Sequence, residues 1–272
     1  MSPDGASRDN PRTPTFAIWV GHFRDNLETQ AAMEREIPWG APCTLAGPDR
    51  AAFVRSFQRF ELGEDGDGAR LLAKARRAGD PEYVEALQML VAEEQRHSAL
   101  FRRGLDHLGA PTLSAHWSDA AFTQLRRALG LRTELALFLV AESVATDYFT
   151  ALATRAPDPV LRGIGRRVAS DEVHHLRFQV DRLHVGFADT PRVVRGGFGA
   201  VWTVVAAGAA TVLVVDHGRA LHACGLRRRQ VWLGGMRRFV AQARAALAGD
   251  APGMLGPALA DEVAAATGGT RH

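Results

Sequence analysis

The sequence predicts an all-α protein: a four-helix bundle with additional C-terminal helices. Three observations carry that expectation. Glu94-Gln95-Arg96-His97 and Glu172-Val173-His174-His175 are two copies of E-x-x-H, and residues i and i+3 share one face of a helix. Each copy has a glutamate 30 residues upstream, Glu64 and Glu142. Each interval is bisected by a chain breaker, Gly79-Asp80-Pro81 in the first and Pro157-Asp158-Pro159 in the second. Two helix hairpins follow, with arms of 15 residues, or about 22 Å at a rise of about 1.5 Å per residue.

Residues 1–47 read as a partly disordered N-terminal extension with a short apolar stretch, Phe16 to Phe23, and a Pro-Trp-Gly turn at 38–40. The bundle is expected over 48–188. Its first helix starts at Pro48-Asp49 with Phe53, Phe57 and Phe60 on one side. Gly63, Gly66 and Gly68 each weaken it by roughly 1 kcal/mol relative to Ala, and it is expected to run through them. The second helix begins at Pro81, where a missing N–H does no harm. It carries Val84, Leu87, Val91, Glu94, Ser98, Phe101 and Leu105 along one stripe. Glu94 therefore sits in the core seam, where an unpaired carboxylate is costly. A connection at 110–118 and a short helix near 118–128 lead to the third long helix, about 131–155, with Glu142 in its apolar stripe. The fourth, about 158–187, lines up Leu161, Ile164, Val168, Glu172, His175 and Phe178.

Residues 189–272 form a C-terminal helical extension. The run from Gly196 to Val215 has no charge over 20 residues, long enough for a membrane span. Its many glycines and alanines favour a buried fifth helix, with membrane association as the other reading. A last helix over about 226–247 sets Arg227, Arg228 and Arg229 beside Val231, Leu233, Met236 and Phe239.

Two E-x-x-H pairs and two further glutamates, each on a helix seam, make a four-Glu, two-His set suited to a pair of neighbouring cations. One histidine serves each ion, Glu94 and Glu172 bridge, and Glu64 and Glu142 are outer ligands. Glu61, one turn before Glu64, is the alternate first ligand. Carboxylate-rich N/O ligation with open positions suits iron or manganese: two iron ions, with Mn/Fe or Mn/Mn also accommodated. Glu93 and Asp171, each preceding a ligand, are placed to accept the other ring N–H of the opposite hairpin's histidine; solvated surface acid is the competing reading for both. His174 is expected to be an exposed neighbour. Tyr148, less than two turns past Glu142, is the one catalytic candidate outside the ligand set, as a redox-active or hydrogen-bonding group or a packing residue. His217 and His222 have little claim to a ligand role.

The chain resembles a bacterial ferritin-like domain family. The matching segments are Ile37-Pro38-Trp39, Ser56-Phe57-Gln58-Arg59-Phe60-Glu61-Leu62-Gly63-Glu64 and Ala92-Glu93-Glu94-Gln95-Arg96-His97. Ala141-Glu142 and Asp171-Glu172-Val173-His174-His175 complete the set. The likeness spans roughly residues 37–187. Asp-Glu-x-x-His is also similar to the second metal-binding helix of ribonucleotide reductase small subunits and related oxidases. What the resemblance implies is a ferritin-like bundle, a di-metal centre and an aspartate that buttresses a histidine.

Composition excludes some classes. Acids and bases are interspersed and the net charge is +3, so no tract for nucleic acid stands out. Two cysteines are too few for a disulfide framework, and a cytoplasmic setting is expected. The expected activity is a non-haem di-iron oxidoreductase that activates O2 and hydroxylates, desaturates or N-oxygenates a small organic substrate. A ferroxidase or iron-handling protein is the alternative. The electron donor stays open, and the chain leaves room for a homodimer.

Overall fold

The computed structural model describes residues 15–116, 124, 130–248 and 256–257. Among these, all regular structure is helical. The helices are α1 (Ala17–Arg35), α2 (Gly47–Glu64), α3 (Ala69–Ala78), α4 (Pro81–His107) and α5 (Leu131–Arg155). They continue as α6 (Pro159–Phe187), α7 (Arg192–Asp216), α8 (Gly218–Ala223) and α9 (Arg228–Leu247). The short helix expected near 118–128 lies outside the described residues.

Local chemistry sets the two hairpin turns. Gly79 ends α3 at φ 83°, a left-handed conformation that glycine adopts without strain. Asp80 then caps α4, its carboxylate accepting from the Tyr83 N–H at 2.9 Å, with Pro81 in the first turn. Asp158 caps α6 in the same way, accepting from Val160 at 2.9 Å and Leu161 at 3.3 Å.

The first helix does not run through its glycines. α2 ends at Glu64, residues 65–68 form a loop, and α3 starts afresh after Gly68 at φ 62°. Three glycines within six residues remove too much helix propensity for one continuous rod. Gly68 also packs against Val91, which a Cβ there would meet at 2.7 Å.

Two close approaches hold the pairs together. α5 and α6 meet at Gly165, where an added Cβ would lie 2.5 Å from the Ala153 backbone nitrogen. α2 and α4 meet at Gly104, whose missing Cβ leaves room for Phe57. The apolar core falls into two clusters. One gathers Phe53, Phe57, Phe101, Tyr148, Leu161 and Ile164; the other gathers Trp19, Phe23, Tyr83, Leu139, Phe178 and Phe239. Along α4, α5 and α6 the members of one cluster give way to those of the other between Leu90 and Leu100, Val140 and Val144, and Val168 and Leu176. Glu94, His97, Glu142, Glu172 and His175 fall in those gaps, a polar layer where the two cores adjoin.

Two expectations for the flanks are revised. The segment expected as a lead-in contains α1, which packs against α4 and α6. Phe16, Trp19, Val20 and Phe23 are buried there, the i, i+3, i+4, i+7 stripe of an amphipathic helix. The uncharged run is α7, and it is not a buried helix: Trp202, Ala206, Ala210 and Leu213 face inward, while Val201, Val204 and Val215 lie on the surface. Lack of charge marks an apolar helix without saying how much of it is covered. α7 and α5 are both long and apolar enough to cross a membrane; 72% of the α5 window is buried inside the protein against 28% for α7.

Candidate metal centre

α2, α4, α5 and α6 bring the six expected side chains to one level. His175 Nδ1 lies 2.7 Å from Glu94 Oε1. His97 Nδ1 lies 3.8 Å from both Glu94 Oε2 and Glu172 Oε1. Donor atoms of Glu94, His97 and His175 fall within 4.8 Å of one another, as do those of Glu142, Glu172 and His175. Glu64 joins through a side-chain hydrogen bond to Glu94.

The backing groups cross between the hairpins. His97 Nε2 pairs with Asp171 Oδ2 and His175 Nε2 with Glu93 Oε2, each at 2.8 Å. All four side chains are buried, so the solvated reading of Glu93 and Asp171 is excluded. A ring nitrogen that donates to a carboxylate leaves the other nitrogen with a bare lone pair. In the neutral form of each ring, therefore, Nδ1 faces the cluster as an acceptor.

The cluster is rich in buried acceptors and poor in donors. Glu94 Oε1, His97 Nδ1, Glu142 Oε2, Glu172 Oε2 and His175 Nδ1 have no hydrogen-bond partner. Native proteins rarely leave one such group unmatched, and here five meet at one place. Glu94 Oε1 and His175 Nδ1 lie 2.7 Å apart, an ion pair when the imidazole carries both protons. With that proton removed both atoms would be available as ligands, and these residues fit a carboxylate–imidazole pair of metal ions.

Protonation tells the same story for the protein without cations. Burial, then the Glu94 charge, pushes Glu142 up to about 8. Burial and neighbouring carboxylates also raise Glu64 and Glu172 well above the usual range. Burial opposes charging of Glu94, but His175, with Glu64 as hydrogen-bond donor, holds it at about 2. Burial likewise opposes charging of His175, and the carboxylates of Glu94 and Glu93 outweigh it, raising the imidazole. Protons thus occupy a site whose ligands suit cations.

Glu61 is elsewhere. Its carboxylate takes a two-pronged contact from Arg102, at 3.0 Å from Nε and 2.6 Å from Nη2, so the alternate-ligand reading fails and Glu64 stands as the first glutamate. Tyr148 is buried, and its hydroxyl accepts from Ser56 Oγ at 2.6 Å. Ser56 Oγ is also 2.7 Å from His217 Nδ1, so Tyr148 belongs to a Ser56–His217 chain. His174 is not an exposed neighbour: it is partly buried beneath α1, its ring 4.2 Å from that of His22. His222 is on the surface.

Three functional groups escaped the sequence reading. Gln30 on α1 donates to Glu93 and, at 3.3 Å, to Asp171 Oδ1, while its own oxygen accepts from Arg96 at 2.8 Å. It ties both backing carboxylates together. Arg167, fully buried, pairs with Asp171 and with Glu34 at 3.3 Å. Gln179 donates to Glu142. Gln30 lies seven residues past Phe23 on the inward stripe of α1, and Gln179 one turn past His175; each is a polar residue on a buried seam.

A cavity of about 1010 Å³ adjoins the cluster. Glu64, Glu94 and Glu142 line it, which accounts for their being only partly buried. The carboxylates thus face open space on one side and the α1 buttress on the other. Comparisons with protein-family models, curated proteins and solved structures return no match.

Proposed function

We propose that the protein is a ferritin-like, non-haem di-iron oxidoreductase that uses O2 to oxidise a small organic molecule. The observation that carries this reading is the set of unpartnered buried acceptors beside a large cavity. Glu64, Glu94 and His97 would hold one ion and Glu142, Glu172 and His175 the other, with Glu94 and Glu172 shared; manganese could take either place. A bound pair of this kind supplies electrons to O2 in two-electron reactions.

The chain's own groups do the rest. Asp171 and Glu93 fix the histidine tautomers, so that both Nδ1 lone pairs stay aimed at the ions. Gln30 holds both of those acids, and Arg167 holds Asp171. Gln179 orients Glu142, leaving its other oxygen free to bind. The cavity receives the molecule to be oxidised, and two electrons come from an external electron-transfer donor. The proposed setting is the cytoplasm, in keeping with free cysteines at 43 and 224.

Metal analysis with optical and EPR spectra of anaerobically reduced, then reoxidised, protein tests the reading. Two iron ions per chain and consumption of O2 on reoxidation are expected. Iron-loaded, reduced protein that consumes no O2 would refute it. A large hollow oligomer with a mineral core would replace it with the iron-storage alternative.

A further inference from the structure

We infer that the cavity is a groove for an alkyl chain, so that the molecule oxidised is a long-chain aliphatic compound whose interior carbons lie against the carboxylates. The oxidation rests on the di-metal reading; the binding rests on the cavity alone.

Size is the first ground. At about 1010 Å³ the space is at the upper end of the roughly 300–1,000 Å³ typical of small-molecule sites. Shape is the second. Along α5 the lining runs from Glu134 to Phe149, which at about 1.5 Å per residue is an extended groove of about 22 Å. Glu142 stands near its midpoint. A chain lying in the groove would cross the carboxylates with its middle.

Chemistry is the third ground. Apart from the ligands and Gln179, the walls near Glu142 are apolar: Leu90, Val91, Phe138, Ala145, Phe149 and Leu213. Four charged groups in the lining are paired with each other, Lys74 with Glu134 at 2.6 Å and Arg59 with Asp216 at 3.2 Å. Asp65, Asp67 and Arg70 lie at the end formed by the loop after α2 and the start of α3. The apolar surface also continues outward. Val205, Gly208 and Val212 of α7 form part of the wall, and the neighbouring Val201 and Val204 are exposed. An alkyl chain could slide into the groove while remaining on hydrocarbon.

The test uses the metal-free full chain and a series of n-alkanols, with binding followed by titration calorimetry. Affinity should rise about three- to fourfold per added methylene, the ratio for burying one CH2 in an apolar site, and level off once the groove is full. Gly208→Trp should weaken binding of the longest alkanol at least tenfold. A Cβ at Gly208 meets nothing within 4 Å, so the indole has room to enter the groove mouth without displacing backbone. Val204→Trp, outside the lining, should bind like the parent. Should Gly208→Trp fail to fold, Val205→Trp blocks the same wall. Affinity independent of chain length, or blocked variants that bind normally, would overturn the inference. Chain-length-dependent binding by a protein that never takes up iron would leave the groove standing and remove the di-metal reading. Iron uptake and O2 consumption without alkanol binding would do the reverse.

Discussion

The α2–α4 hairpin and the α5–α6 hairpin carry the same ligand pattern, yet only the second is regular. Glu142 lies inside a continuous helix, pinned by Gln179. Glu64 is the last residue of α2 and is followed by a glycine loop. The α5–α6 pair is locked through Gly165 against backbone. Both halves wall the cavity, but Glu142 reaches it from the middle of a continuous helix and Glu64 from a helix terminus beside the glycine loop.

The largest expected effect tests whether the halves are equivalent at all. Glu142→Ala and His97→Ala should each abolish metal loading, a loss well beyond the roughly 100-fold that an indirect partner contributes. His174→Ala and Glu61→Gln should leave it nearly intact. Metal content after dialysis against excess iron is the measurement. Equal loss in all four would mean that the donor set is misassigned.

The backing acids come next. Removing either should weaken metal binding about 10- to 100-fold, but the two hairpins should differ in stability. Asp171 is also the partner of Arg167, which is fully buried. Asp171→Asn strands part of that charge and should cost on the order of 3 kcal/mol of folding free energy. Glu93→Gln has no buried guanidinium to strand, and its cost should be much smaller. Urea unfolding of the metal-free variants separates the two, and equal costs would show that Arg167 leans on Glu34 instead.

How far the sequence carries follows the same divide. Ligand spacing and the breakers at 79–81 and 157–159 place four helices and six donors, because one residue type at a fixed helical offset is a strong constraint. Glu93 and Asp171 are legible from their positions beside Glu94 and Glu172. Gln30 is not, because its partners Glu93, Asp171 and Arg96 lie more than 60 residues away; Arg167 stands one helical turn before Asp171, a spacing the sequence does show, but nothing local says that this pair is buried. Likewise, the glycines at 63–68 announce weakness in α2, but whether packing overrides propensity is settled only in three dimensions.

A smaller effect concerns pH. In metal-free protein Glu142 titrates at about 8 and Glu64 and Glu172 are also raised. A carboxyl raised above its unfolded value stabilises the fold fully below about pH 4.5 and loses that contribution as pH rises through its folded value. His175 is raised too and acts in the same direction from about pH 6.5 upward. Metal-free protein should therefore lose thermal stability between pH 5 and about 8. Glu94, held at about 2, acts oppositely but only in strong acid. Cations bound at the proposed site would displace these protons, so binding should acidify an unbuffered solution and tighten as pH rises. A flat Tm between pH 5 and 8, with no proton release, would mean that the carboxylates are already ionised.

The smallest effect probes the loop that makes the first hairpin irregular. A Cβ at Gly66 meets nothing within 4 Å, and its φ is not in the left-handed region. Gly66→Ala should stabilise the fold by about 0.4–1 kcal/mol, chiefly by restricting the unfolded chain. Gly68→Ala is the opposite case, with φ 62° and Val91 in the way, and should destabilise by more than Gly66→Ala stabilises. If the loop serves only as a connector, Gly66→Ala leaves metal content and alkanol binding alone. If its freedom is what lets Glu64 move as the groove fills, the same substitution raises the melting temperature while slowing alkanol association, an effect that stability alone would not produce.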